Sequence, residues 1–367
     1  MKLSSQISLS IIVILLGMNV HAEDGYKLWL RYPPISDQTR YESVKLILDH
    51  VNVSGSSSTM GVIKEELIRA CEGMLGMKPE FSKDASDYAS LIIGTPATNS
   101  TLDREEIRIQ LKTLGPDGYY MAYLSPDGKG PLIIAANTDV GALYGTFHLL
   151  RMLQATANLT DLPMKETPRI QHRILNHWDN LDGTVERGYA GFSIWNWHKL
   201  PRYIDPRYVD YARANASIGI NGSVVTNVNA NAFVLTPAYM EKVAALADVF
   251  RPYGIRIYLT ARFSSPMDIG GLPTADPLDP EVRAWWKNKV EKIYEAIPDF
   301  GGFVVKANSE GQPGPQNYGR SHADGANMLA EAVGPHRGIV MWRAFVYSAD
   351  IAEDRAKQAN NEFVPFD

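Results

Sequence analysis

A single cysteine, Cys71, stands in 367 residues, so no intrachain disulfide framework can hold this chain together. No HExxH pair, Walker phosphate loop or GxGxxG fingerprint occurs, and the eight histidines show no metal-ligand spacing. Zinc hydrolysis and hydride transfer therefore lack a sequence basis, and no cofactor is expected. Positive charge is not in excess: the net charge is −5 and the pI about 5.9, which argues against a nucleic-acid partner. No run reaches membrane-spanning length. The nearest is Leu9 to Leu16, preceded by Lys2 and followed by the small-residue site Val20-His21-Ala22. That pattern reads as a signal peptide over 1–22, with the mature chain starting at Glu23 in a secreted or periplasmic compartment.

What is present is aromatic and regularly ordered. Seven tryptophans and eighteen tyrosines suit the apolar faces of sugar rings, though they fill ordinary cores equally well. Cys71 shares a three-and-four spacing with Ile63, Leu67 and Met74, which places it on the buried face of a helix. Residues 23–160 read as an α/β sandwich-type domain. Strands are expected at Lys27 to Tyr32, at Leu91 to Ile93, and in a hairpin of Tyr119 to Leu124 with Leu132 to Ala136. A helix capped by Thr138 follows, and its Gly141 and Gly145 suggest close packing on a sheet. The polar stretch QATANLTDLPMKETPRI marks the boundary to a second domain, 161–367.

That second domain alternates strand and helix. Strands are expected at Arg173 to Trp178, Gly222 to Val228, Ile255 to Thr260, Gly301 to Ala307 and Gly338 to Trp342, with helices near 206–217, 237–251, 280–296 and 324–333. Such repeats build a parallel sheet, either open and doubly wound or a (β/α) barrel. Polar residues at nearly every strand end favour the barrel, whose site is assembled from many strand ends. About five strand–helix units are present, so the expectation is an incomplete (β/α)8 barrel.

The stretch VVKANSEGQPGP, 304–315, carries the chemistry. Glu310 follows a buried strand, where desolvation favours the protonated form a general acid needs; a loop- or helix-capping role is the plain alternative. By period-two alternation Lys306, Asn308 and Glu310 share the barrel interior. A lysine beside the acid would favour its charged form, which is resolved if Lys306 serves an anionic substrate. Arg343 on the next strand could grip the same carboxylate, implying a uronic acid. Both cations could instead pair with protein carboxylates. Arg262 in TARFSSP faces the same rim. Phe192, Trp195, Trp197 and Tyr203, in the long loop after the first barrel strand, could stack on sugar or pack over the rim.

The runs NHWDNLDGTVERGYAGFSIW, VVKANSEGQPGP and MWRAFVY together resemble the α-glucuronidases of glycoside hydrolase family sixty-seven, and GALYGTFHLL is similar to a helix closing their N-terminal domain. The resemblance implies an N-terminal α/β domain, a (β/α)8 barrel and a helical C-terminal domain. It implies inverting release of glucuronic acid, or its 4-O-methyl ether, α-1,2-linked to the terminal xylose of xylan fragments. It makes Glu310 the general acid, gives Lys306 and Arg343 the uronate carboxylate, and places Trp178 and Val228 in the sugar and methyl-ether pocket. The family's basic carboxylates and its helical domain would follow Asp367. The chain is thus expected to be C-terminally incomplete and, as written, inactive or nearly so, since inversion needs a second carboxylate. Partners implied are xylan-derived aldouronic oligosaccharides and, for the longer protein, a homodimer. The alternatives are another secreted barrel glycosidase of hexosaminidase-like type, and a non-catalytic sugar-binding fragment.

Overall fold

The computed structural model describes residues 23–82, 89–125, 128, 130–155, 159–308 and 313–344. In chain order the elements are helix α1 (Gln38–Leu48), strand β1 (His50–Val53), α2 (Ser58–Leu75), β2 (Glu80–Phe81), β3 (Leu91–Gly94), α3 (Glu105–Leu111), β4 (Tyr119–Tyr123), β5 (Leu132–Ala136), α4 (Asp139–Gln154) and β6 (Met164–Glu166). They form a six-stranded mixed sheet in the order β2-β1-β3-β5-β4-β6, with β4 antiparallel to both neighbours. The last strand lies past residue 160, so this sheet reaches beyond the expected boundary.

Period-two alternation divides the sheet between two helical layers. Leu91, Ile93, Ile134 and Met121 face the main core with α2 and α4, whereas Ile92, Ile133, Ala135 and Ala122 pack with Ile107 and Leu111 of α3. The Thr138 side chain accepts the Gly141 N–H and caps α4. A β-carbon on Gly141 would come within 2.5 Å of the Gly118 carbonyl oxygen, and one on Gly145 within 2.5 Å of an Ile134 methyl group. The glycines let helix and sheet approach closely, as their positions suggested.

Leu28 to Arg31 is a 3-10 helix and not the strand expected there. Its hydrogen bonds are local, and Leu28 and Tyr32 take left-handed φ values of 51° and 46°. Tertiary contacts override the strand-like composition. Trp29 packs edge-on to Phe147 and donates to Ser217 Oγ, and Tyr32 donates to Glu66.

The second sheet contains β7 (Ile174–Asn176), β8 (Gly222–Val224), β9 (Arg256–Thr260), β10 (Gly302–Ala307) and β11 (Ile339–Ala344). All pair in parallel and in sequence order, without the reversal that defines a doubly wound sheet. Between them run α5 (Pro206–Ala216), α6 (Pro237–Phe250), the short α7 (Ser265–Asp268), α8 (Pro280–Ala296) and α9 (His322–Val333). Aspartate followed by proline starts both α5 and α8: Asp205 and Asp279 accept first-turn N–H groups, and proline occupies a position that needs no donor. Val225, Ile257, Leu259, Phe303 and Val305 meet the helices, while Val224, Tyr258, Val304, Ile174, Ile339 and Met341 form a separate apolar cluster on the other face. That is the wall and filling of an incomplete (β/α)8 barrel.

The two sheets share a core, and a buried ion pair joins their helices. Arg213 of α5 holds Glu66 of α2 through two bonds of 2.7 Å, and Tyr32 donates to the same carboxylate at 2.6 Å. Burial and the Glu66 charge both push the Tyr32 hydroxyl pKa upward, so it stays a donor. Removing one partner strands the other charge. Glu66→Gln is therefore expected to cost about 3–5 kcal/mol in urea denaturation, with much of that recovered when Arg213 is replaced by Met as well. Cys71 is wholly buried in this core, and burial drives its pKa up to about 12. The thiol therefore stays protonated, and unreactive, at neutral pH. Iodoacetamide should leave Cys71 unlabelled in the folded protein and modify it on unfolding, as mass spectrometry would show.

Candidate active site

The mouth of the half-barrel lies at the C-terminal strand ends, and alternation decides which side chains enter it. Val305 and Ala307 pack outward under the helices while Val304 lies in the inner cluster, so Lys306 faces inward. On β11, Trp342 packs outward against Phe263 and His322, and Met341 lies in the inner cluster, so Arg343 also faces inward. Lys306 and Arg343 are register partners on adjacent strands. On β7's extension, His177 turns outward to Tyr211 and Trp195, leaving Trp178 on the inner side.

These placements converge. The Arg343 guanidinium carbon lies 5.9 Å from the Trp178 ring centroid, within cation–π range. Trp178 follows β7 and Arg343 belongs to β11, the two outer strands of the sheet, so the contact requires the sheet to curl. Lys306 is 4% exposed and donates to Asn229 Oδ1 at 3.1 Å. Asn229 follows Val228, which packs in the inner cluster with Val224 and Val304. Lys306, Arg343, Trp178 and Val228 thus occupy one region. Glu310 lies outside the described residues.

Asn308 departs from the expected alternation. It has φ 50°, its Oδ1 accepts the Gln316 N–H at 3.1 Å, and its amide donates to Asn317 at 3.0 Å. The asparagine ends the strand by bonding to the 3-10 turn Pro315–Tyr318, so it does not point into the barrel. The left-handed backbone breaks the period-two pattern beyond Ala307.

The long loop after β7 resolves by burial. Trp195 and Trp197 are each 1% exposed and join the core between sheet and helices, whereas Phe192 and Tyr203 are exposed. The loop folds back as a small hairpin: Asp179 bridges Val185, Thr184 bridges Phe192, and Glu186 N–H donates to the Trp178 carbonyl at 2.8 Å. Asp179 accepts from Ser193 and lies 3.5 Å from His177 Nδ1, so the residues flanking Trp178 are both anchored.

Arg262 reaches the same rim, held through Nε by Asp268 Oδ2 and Ser264 Oγ, each at 3.1 Å. Neither acceptor, nor Asn229, was marked by a sequence motif. An Asn one residue past a pocket valine, and an Asp six residues past an Arg, carry no periodic signal. A large cleft of about 780 Å³ lies elsewhere, between α1 and the β4–β5 hairpin. There Arg40 is spent on the Leu153 and Gln154 carbonyls and Asp37 on capping α1, so among the described residues it offers no converging set of reactive groups.

Aromatic and cationic side chains gathered at the strand ends of a parallel, sequentially ordered half-barrel behind an α/β domain define a barrel-enzyme type of scaffold. Comparison with known proteins agrees. Residues 28–149 match the glycosyl hydrolase family 67 N-terminus, and residues 152–367 match the glycosyl hydrolase family 67 middle domain. The chain belongs to glycosyl hydrolase family 67. It is 39% identical over 366 residues to alpha-glucuronidase A of Emericella nidulans, covering 96% of this chain and 42% of that protein. It is 41% identical over 354 residues to a probable alpha-glucuronidase A of Neosartorya fischeri, covering 94% and 41% respectively. The chain thus spans about two-fifths of the length of the curated relatives it matches. Among solved structures, a GH138 enzyme targeting pectin rhamnogalacturonan II aligns with TM-score 0.50 at 14% identity over 78% of this chain and 42% of that one, a likeness of fold.

Asn229 is one of the polar groups that accompany Lys306 into its buried site. Asn229→Leu should cost about 1–3 kcal/mol by leaving a buried ammonium short of an acceptor. In the Lys306→Met background the same change should be nearly neutral, and thermal denaturation of the four proteins of the cycle measures the coupling.

Proposed function

We propose that this chain carries the sugar-recognition half of an α-glucuronidase, acting on glucuronic acid or its 4-O-methyl ether α-1,2-linked to the terminal xylose of xylan fragments. The observation that carries the reading is the inward-facing pair Lys306 and Arg343 in register, with Arg343 over Trp178, in a chain of family 67. A uronate carboxylate placed between an ammonium and a guanidinium gains charge-assisted hydrogen bonds that a neutral hexose cannot. The partly exposed Trp178 ring offers an apolar face beside them.

In this mechanism Glu310 protonates the xylose oxygen as the glycosidic bond breaks, and a second carboxylate directs water to the opposite face, inverting the anomeric centre. Lys306 and Arg343 hold the substrate's own carboxylate and so fix the ring against the acid. Their charge is taken up by the substrate, which lets Glu310 keep its proton until transfer. Two carboxyl groups suffice for this chemistry, without a cofactor. With residues 1–22 read as a signal peptide, the reaction takes place outside the cytoplasm on soluble aldouronic oligosaccharides.

The test is release of glucuronic acid from aldouronic oligosaccharides by the gene product containing this chain. Lys306→Met and Arg343→Met should each lower kcat/KM by about thirtyfold or more, the loss of one charged partner. Glu310→Ala should lower turnover most for substrates with poor leaving groups. No release of uronic acid by the wild-type protein, or unchanged kinetics in both cation variants, would overturn the assignment.

A further inference from the structure

The sequence holds a single Asn-Gly pair, Asn221-Gly222, and the fold needs both residues. Gly222 opens β8. A β-carbon there would come within 2.7 Å of the Tyr258 ring and 2.9 Å of Ile174 Cγ1, so the inner apolar cluster closes only over glycine. Asn221 fastens the two domains. Its Oδ1 accepts the Arg173 N–H at 2.9 Å, and its amide donates to Asp117 Oδ2 at 3.1 Å and to the Gln171 carbonyl at 2.8 Å. Asp117 comes from the turn before β4 in the first domain, and the same oxygen accepts from Arg173 Nη2 at 2.6 Å. Of the short side chains only asparagine offers an acceptor on one side and two donors on the other.

Met together, these two requirements create a chemical weakness. In an Asn-Gly peptide the glycine nitrogen has no side chain beside it to shield it. After losing its proton it can bond to the Asn221 side-chain carbonyl carbon. Ammonia leaves, and water opens the resulting five-membered imide at either carbonyl to give aspartate or isoaspartate. Water is the one reagent consumed. In the folded chain this attack is blocked on two sides. The side-chain amide is held by the three bonds above. The backbone is held as well, since Asn221 N–H donates to the Arg173 carbonyl and the Asn221 carbonyl accepts the Arg256 N–H, each at 3.1 Å. Cyclisation therefore needs local opening of the first pairs of β8 with β7 and β9.

We propose that Asn221-Gly222 is a latent deamidation site, shielded in the folded protein by the clasp of Asp117, Arg173 and Asn221, and that its conversion unfastens the first domain from the barrel. The product carboxylate has no donor for Asp117 or for the Gln171 carbonyl, and it replaces an N–H···O contact of 3.1 Å by two facing, negatively charged oxygens. The Asp117 and Arg173 side chains are only 21% and 15% exposed, so water screens that repulsion incompletely. Isoaspartate also adds a backbone methylene, directly before the strand that pairs with both β7 and β9. The chain itself does not reverse the hydrolysis, so the clasp governs the lifetime of the junction as well as its strength.

Peptide mapping by mass spectrometry during incubation at mildly alkaline pH tests the shielding, with the folded protein set against the protein in urea. Aspartate and isoaspartate should build up at position 221 about tenfold or more slowly in the folded protein. Asp117→Ala should raise the folded-state rate about tenfold, the worth of one lost hydrogen bond to a charged group, and leave the rate in urea unchanged. Equal rates in the folded protein and in urea, or a folded-state rate that Asp117→Ala does not change, would overturn the shielding. If Asp117→Ala does not fold, Asp117→Asn serves, with a smaller acceleration expected and an unchanged rate counting against. Asn221→Asp, which mimics the product, should lower Tm by about 2–4 °C or more. Adding Asp117→Asn to that variant should restore part of the loss by removing the facing charge. An Asn221→Asp protein as stable as the wild type would overturn the consequence for the junction.

Discussion

Burying a lysine ammonium is costly, and the site depends on Lys306 being buried. Taking such a charge from water costs several kcal/mol even after the protein relaxes, and returns come only from well-placed polar partners. At 4% exposure Lys306 meets that demand partly through Asn229, on the neighbouring loop after Val228. A core that needed only stability would carry an apolar residue here, as the positions below it do. Val304 and Met341 fill the barrel one layer down, and the change from valine to lysine along a single strand marks where apolar filling gives way to charge.

The polarity of that layer follows from geometry set much lower in the fold. Parallel strands in sequence order put all crossover helices on one side, which commits every second residue to the apolar outer wall. The remaining residues face inward, so three neighbouring strands present Arg262, Lys306 and Arg343 at one height. Curling of the sheet then brings its two outermost strand ends together, and Arg343 meets Trp178. The first domain supports this wall from behind. Glu66, Arg213 and Tyr32 lock α2 to α5, and α5 carries Tyr211, whose hydroxyl pairs with His177 at 2.7 Å. Helix α5 thus links the domain junction, through Arg213, to the residue beside Trp178, through Tyr211.

Much of this was legible in the sequence because it is periodic. All five barrel strands and the four long helices between them lie where alternation and helical spacing place them, and the glycines of α4 signal their own close packing. Lys306, Arg343, Trp178 and Val228 were readable as strand-end residues. Legibility fails where local rules are overridden. Leu28 to Arg31 has strand-like composition but is wound into a 3-10 turn by contacts more than a hundred residues away. Asn308 continues the alternation on paper, yet a left-handed backbone turns it into the anchor of a loop. The holders of the cations were invisible for a related reason. Asn229 acts through space from a loop and Asp268 from the end of the four-residue α7, and neither stretch is long enough to show a period.

The loop after β7 shows how aromatic content alone misleads. Trp195 and Trp197, the larger pair and the natural candidates for stacking on sugar, are consumed by the core, where Trp195 meets His177, Tyr208, Tyr211 and Phe250. Their burial anchors the chain just after a hairpin on which Phe192, bridged to Thr184, lies in the open. Trp178 is the tryptophan that reaches the mouth, and it does so because its two neighbours are held elsewhere: His177 by Tyr211, and Asp179 by Ser193. The position of the Trp178 ring is dictated less by the ring itself than by the polar residues on either side, whose anchored side chains pin the backbone between them.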